Sequence, residues 1–274
     1  MTSASGPILL VGCGKMGGAM LGGWLASGVK AGQIKAVEPV AEIAAAARAA
    51  HGIEAVSDLA ALDPAFAPRV VVFAVKPQVM NQVIPPYGRL AGPDTVFLSI
   101  AAGKSIASIA GRLGEPAAIV RAMPNTPAAI GRGISVMCPN DAVTAGQRDA
   151  CRALLLAVGE VEVIEDEALL DAVTAVSGSG PAYVFLLIEC LAAAAVEAGL
   201  PRDLADRLAL ATVSGAGALA AQSPETPETL RRNVTSPHGT TQAALDVLMA
   251  DDGLEPLLGR AVDAAARRSR ELAD

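Results

Sequence analysis

Residues 8–17 read Ile-Leu-Leu-Val-Gly-Cys-Gly-Lys-Met-Gly. Four apolar residues in a row, closed by glycine, suit a strand buried on both faces. Glycines 12, 14 and 17 then keep a G-x-G-x-x-G spacing. Gly12 permits the tight bend, Gly14 lets a pyrophosphate approach the backbone, and Gly17 lets the next helix pack against the strand. Lys15 and Met16 fall at the start of that helix, where free N–H groups and the helix dipole favour an anion. Alone, the spacing is a weak signal. Between an apolar strand and a helical stretch it predicts a dinucleotide-binding βαβ unit.

The same alternation continues outward. Helices are expected over 16–27, stopped by Gly28, and over 40–50, with a strand over 34–37 between them. Glu38 ends that strand, about twenty residues beyond Gly17, where an acid accepts from the ribose 2′-hydroxyl and repels a 2′-phosphate. A solvated strand end is the other reading. Lys35 and Arg48 are close enough in sequence to serve a phosphate, so the choice between NADH and NADPH stays open. Further strands are expected over 70–75, 95–100, 118–121, 134–138 and 160–163, with a helix over 145–157. The first of these ends in Ala74-Val75-Lys76-Pro77, and the third is followed by Met123-Pro-Asn125-Thr126-Pro. Such strand ends, with 99–103, share the edge where open α/β sheets bind ligands. Together they are expected to form the floor under a nicotinamide. The fold class is α/β, a Rossmann-type doubly wound parallel sheet with helices on both faces.

Beyond Glu165 the strand patterns stop. Helices are expected over 167–176, 181–198, 202–221, 227–234, 240–250 and 254–273. This divides the 274 residues into a nucleotide-binding domain, 1–164, and an all-helical domain, 165–274. The segment 181–199 is the most apolar. It carries Glu189 and Glu197 and is rich in alanine, so it reads as a helix buried in protein at a subunit interface and not as a membrane span. Residues 1–7 have no basic segment ahead of the apolar run, so no signal peptide is expected. The net charge of −7 argues against nucleic acid as a partner. The four cysteines are scattered and only two histidines occur, so no metal site is expected, and free thiols fit a reducing cytosol.

A second site is written in 236–241, Ser-Pro-His-Gly-Thr-Thr. It opens the helix expected from Thr240, and a helix start suits a small carboxylate. Two threonine hydroxyls on the same turn can touch a nitrogen beside it. A nucleotide site and a carboxylate site point to a reductase of a small amino or imino acid.

With 11–17, 74–78, 123–128, 177–183 (Ser-Gly-Ser-Gly-Pro-Ala-Tyr) and 235–245 in view, the chain resembles the pyrroline-5-carboxylate reductases over essentially its whole length. The last two stretches, in this order, discriminate more than the glycine pattern. The resemblance implies hydride transfer from NADPH or NADH to C5 of 1-pyrroline-5-carboxylate, giving L-proline, the last step of proline biosynthesis. It implies that Ser236, Gly239, Thr240 and Thr241 hold the carboxylate, with the Thr241 hydroxyl facing the ring nitrogen as the catalytic orienter. It also implies a cytoplasmic homodimer of interlocked helical domains, assembled into larger rings. Each active site takes its nucleotide half from one chain and its substrate loop from the other. His238 departs from the family pattern of Gly, Ala, Asn or Lys. It either crowds the carboxylate, favours it when charged, or faces solvent. The 177–181 break either shapes the substrate pocket or supplies a kink for interlocking. Related keto-acid and β-hydroxy-acid reductases use a lysine in the helical domain, and this chain has none between 166 and 250. A dinucleotide sensor without turnover is the reading from another class.

Overall fold

Ile8–Val11 forms the central strand β1, with every residue at most 2% exposed. The computed structural model describes residues 6–114 and 116–272. Met1 to Ser5, where the absence of a signal peptide was read, lie outside the described residues, as does Ala273 at the end of the last expected helix. After β1 come α1 (Lys15–Ala26), β2 (Ile34–Val37), α2 (Ala41–His51), β3 (Glu54–Val56), β4 (Val70–Phe73), α3 (Pro77–Val83), β5 (Val96–Ser99), α4 (Ile106–Leu113) and β6 (Ala118–Met123). Then follow β7 (Gly133–Pro139), α5 (Ala145–Leu156) and β8 (Gly159–Val163).

The sheet has the order β3-β2-β1-β4-β5-β6-β7-β8, so the winding reverses between β1 and β4. Alternate residues of the buried strands serve opposite faces. Ile8 and Leu10 pack with Met20, Leu21 and Trp24 of α1 and Leu154 of α5. Leu9 and Val11 pack with Met80 of α3 and Ile109 of α4. A residue of this size, fully buried, contributes about 2 kcal/mol. The Trp24 indole donates to the Leu154 carbonyl at 2.9 Å, so its one polar atom is satisfied in the core.

One strand corrects the expectation of a wholly parallel sheet. β7 runs antiparallel to β6, with Met123 opposite Val136, while β8 returns parallel to β7 through α5. A short connection, residues 124–132 with a 3₁₀ turn over Thr126–Ile130, separates β6 from β7. A parallel return needs about a dozen residues or more.

The remaining helices are α6 (Leu169–Val173), which continues as a π-turn over Thr174–Gly178, then α7 (Gly180–Glu197), α8 (Arg202–Gln222), α9 (Pro227–Asn233), α10 (Thr240–Leu248) and α11 (Leu254–Leu272). The strands end at Val163, but the division into two compact units falls between Gly178 and Ser179, and α11 rejoins the first unit from Ala265 onward. Leu170 of α6 is fully buried with Val136 and Cys138 of β7. Glu167 pairs with the buried Arg121 of β6 at 2.8 Å and accepts from Ile106 N. Ser269 of α11 donates to Asp171 at 2.6 Å. These contacts tie α6 and the end of α11 to the sheet.

In the second unit α7 packs along α8. Few of its residues are buried, Ala192, Ala205 and Ala209 among them. Leu169–Glu197 and Arg202–Gln222 are long and apolar enough to cross a membrane by length and composition. The expected burial of 181–199 is not met within one chain, where Phe185 is 58% exposed and Leu187 51%.

Candidate active site

The glycine loop is shaped by three different constraints. Gly12 has φ +94°, and a Cβ there would lie 2.8 Å from Val75 Cγ1 and 2.9 Å from the Ala74 carbonyl oxygen. A Cβ on Gly17 would overlap the Gly12 carbonyl oxygen, so helix and strand approach only because Gly17 has no side chain. Gly14 is different. A Cβ there meets nothing within 4 Å, and the residue lines an open cleft. Gly14 also begins α1 with no side-chain cap, and the first turn has no acid. The N–H groups at this end are therefore left for an anion entering above Gly14.

Glu38 is 6% exposed and engaged on both sides. One carboxylate oxygen accepts from Cys13 N at 2.8 Å, the other from Val40 N at 3.0 Å. The side chain thus staples the glycine loop to the β2–α2 turn, which rules out a plain solvated strand end. Burial first, then the charge of Glu38, pushes the Cys13 thiol up to about 11, so it stays protonated near neutral pH.

The cleft holds about 770 Å³. It brings together Gly12, Gly14, Glu38, Ala74, Val75 and Lys76 from the ends of β1, β2 and β4. Pro77 opens α3 directly after Lys76. Sequence reasoning missed the outer wall, made by Ser57 and Asp58 after β3 and by Val79 and Val83 of α3. The three-residue β3 and the seven-residue α3 are too short for a periodic signal, but Pro77 at a first helical position was a readable start. Lys15 and Met16 occupy the first turn of α1. Met123 ends β6, and Asn125 and Thr126 follow it, on the same edge without lining the cleft. The Asn125 side-chain oxygen Oδ1 accepts from Ile134 N at 3.0 Å, and Thr126 is exposed. A Cβ on Gly178 would overlap Met123 Cε, so the π-turn of the Ser-Gly-Ser-Gly stretch closes against this strand end. Among the described residues no group of three or more His, Cys, Asp or Glu side chains is placed to hold a metal.

The second unit carries the other predicted stretch. Gly239 begins α10, again with no side-chain cap and no acid in the first turn. Gly239 N donates to the Ser236 carbonyl at 3.0 Å, closing a four-residue turn with Pro237 and His238 inside it. Among the described residues His238 is the one non-glycine at positive φ, +60°. That is the third position of a Pro-led turn, where Gly or Asn is favoured. Ser236, His238 and Thr240 are exposed, and Gly239 and Thr241 are half-buried. The loop thus combines N–H groups without a side-chain cap, hydroxyls and a sheltered Thr241.

A cleft of this kind, where strand order reverses, is where doubly wound enzymes take a dinucleotide, so the class is a nicotinamide-dependent oxidoreductase. Known relatives narrow it. Residues 7–103 match the family described as NADP oxidoreductase coenzyme F420-dependent, and residues 167–272 match pyrroline-5-carboxylate reductase dimerisation. The pyrroline-5-carboxylate reductase of Pseudomonas aeruginosa is 44% identical over 97% of both chains. The solved structure of a pyrroline-5-carboxylate reductase from Coxiella burnetii superposes with a TM-score of 0.91 at 32% identity, covering 98% of this chain and 99% of that one. The Plasmodium falciparum pyrroline carboxylate reductase, solved with NADP bound, gives a TM-score of 0.83 at 28% identity over 99% of both chains. The chain belongs to the pyrroline-5-carboxylate reductase family. Its reaction is the NAD(P)H-dependent reduction of 1-pyrroline-5-carboxylate to L-proline, the last step of proline biosynthesis.

Proposed function

We propose that the nucleotide lies in the cleft over Gly12, Gly14, Lys15, Met16 and Gly17, and that 236–241 is the substrate loop. Glu38 faces the adenosine ribose, while Ala74, Val75, Lys76, Pro77, Met123, Asn125 and Thr126 line the path toward the nicotinamide. Ser236, Gly239, Thr240 and Thr241 hold the substrate carboxylate through hydroxyls and N–H groups at the start of α10. The observation that carries this reading is the pair of helix starts, α1 and α10, neither with a side-chain cap nor an acid in its first turn.

The bound reduced nicotinamide supplies the hydride that C5 of the imine accepts. The chain's own work is positional. The loop fixes the carboxylate, and the Thr241 hydroxyl accepts from the protonated ring nitrogen, which orients the C=N bond. A protonated imine is already electrophilic, so the residues are required to orient it and not to form a bond with it. No metal is needed, and chelator treatment is expected to leave the rate unchanged.

The two-domain division at 164/165 belongs to the same reading, with the catalytic nucleotide half before it and the substrate loop after it. The active assembly is a cytoplasmic homodimer, arranged in larger rings, in which the loop of one chain serves the nucleotide half of its partner. The exposed apolar residues of α7 and α8 support the dimer. The deciding experiment is initial-rate NADH and NADPH oxidation with pyrroline-5-carboxylate for wild type and Thr241→Ala, with nucleotide affinity measured in parallel. Turnover should fall about 10- to 100-fold, as for the loss of one hydrogen bond to a charged group, with nucleotide affinity unchanged. Nucleotide affinity falling in step with turnover would put Thr241 in the wrong half of the site.

A further inference from the structure

We infer that this enzyme discriminates against the 2′-phosphate and takes NADH in preference to NADPH, with a locked Glu38 as the determinant. The inference rests on the nucleotide lying in the cleft over Gly14. Three observations carry it.

The first is that Glu38 cannot move aside. Its two oxygens are held by Cys13 N at 2.8 Å and Val40 N at 3.0 Å. Turning the carboxylate out to admit a phosphate would strip partners from both N–H groups, and such groups are costly to leave unpaired. A carboxylate has about four acceptor directions, so the two N–H bonds leave room for ribose hydroxyls. A 2′-hydroxyl gains a charged acceptor there. A 2′-phosphate, carrying about −1.5 to −2 charges, meets a fixed negative one.

The second is that the cations expected to serve a phosphate are committed elsewhere. Lys35 pairs with Glu54 at 2.9 Å and lies 4.9 Å over the Phe66 ring. Arg48 donates to the Ala55 carbonyl at 2.8 Å from the last turn of α2, which has by then run back from the β2 end. Among the described residues Lys76 is the one cation in the cleft wall, and it follows β4, on the far side of β1 from β2.

The third is the wall beside the ribose position. After Glu38 come Pro39 and Val40, which have no hydrogen-bond donor on their side chains. Across from them stands Asp58, a second carboxylate, which accepts from the Ser57 hydroxyl at 3.0 Å and so leaves that hydroxyl's proton turned away from any phosphate.

The test is calorimetric titration of the full-length protein with NADH and with NADPH, for wild type, Glu38→Gln, Val40→Arg and Gly14→Leu. Wild type should bind NADH at least about tenfold tighter. Glu38→Gln retains a carbonyl acceptor without the charge, and its NADH:NADPH ratio should approach one. Val40→Arg leaves Glu38 and its staple in place, adds a phosphate partner at the mouth of the cleft, and should tighten NADPH alone. Gly14→Leu fills the space above the glycine loop and should weaken both nucleotides. Wild type binding NADPH as tightly as NADH, with Gly14→Leu still weakening both, would overturn the inference while leaving the nucleotide where it is placed. Nucleotide affinities unmoved by Gly14→Leu would overturn the placement and the inference with it.

Discussion

His238 shows how much one torsion decides. Its φ of +60° is open to glycine at little cost and to most residues at about 1–2 kcal/mol, with histidine among the better tolerated. The turn therefore holds a side chain at a torsion where glycine would carry the least strain. His238→Gly should leave loop stability unchanged or raise it by up to about 1 kcal/mol, because relief in the left-handed region is partly offset by extra freedom when unfolded. His238→Val should lower it by about 1 kcal/mol or more, since a branched Cβ is poorly tolerated there. Amide hydrogen exchange over 236–241, alongside KM for pyrroline-5-carboxylate, measures both. Slower exchange in the Val variant than in wild type would mean the positive φ imposes no cost. That His238 departs from the family pattern was legible in the sequence. Its backbone conformation was not, because no side-chain type announces a left-handed torsion.

Elements were legible where periodicity had room to show. β1, α1, β2 and the long α7 and α8 fall within a residue or two of where their apolar spacing put them. β3, α3 and α4, of three, seven and eight residues, were not found, although α9, also of seven residues, was. The direction of β7 depended on the length of its connection, which is shorter than the expected strands implied because β6 runs on to Met123 and β7 begins at Gly133. The glycine loop was read correctly as a turn between strand and helix, but the Glu38 staple joins residues 25 apart and has no local signature. The α1–β1 contact is set by Gly17, so Gly17→Ala should push the helix off Gly12, costing about 1–3 kcal/mol and weakening nucleotide binding. A Tm and nucleotide affinity matching wild type would show that the overlap is relieved without moving the helix. The bond of α6 to the sheet depends on Glu167, which meets Arg121, 7% exposed, and caps Ile106 N. Glu167→Ala leaves a buried guanidinium without its anion, and chemical denaturation should register a loss of about 3 kcal/mol. A loss below about 0.5 kcal/mol would mean water replaces the carboxylate at no cost.

At the scale of the whole molecule, the open question in one chain is what covers its apolar helices. Phe185, Leu186 and Leu187 on α7 and Leu208 and Leu210 on α8 are each 46–58% exposed. Folded monomers rarely leave a patch of this kind uncovered. A bilayer is one cover, and α7 and α8 are long and apolar enough for it. Two features oppose that. Glu189 lies in the middle of α7, and a carboxylate at mid-membrane costs about 2.5–3.5 kcal/mol. Val247 of α10 and Leu257 of α11 are exposed as well, at 71% and 52%. α10 has nine residues, too few to span, so a bilayer accounts for only part of the surface. A second copy of the chain accounts for all of it, and the match of 167–272 to a dimerisation family agrees. Leu187→Glu combined with Leu208→Glu places charge on both long helices while leaving the nucleotide-binding unit untouched. Light scattering coupled to size exclusion should then find a monomer where wild type is a dimer or larger. NADH affinity should be kept and turnover lost if, as proposed, the substrate loop comes from the partner. A monomeric wild type that floats with lipid vesicles would reverse the assignment. A monomeric variant with full turnover would instead mean that each chain completes its own site.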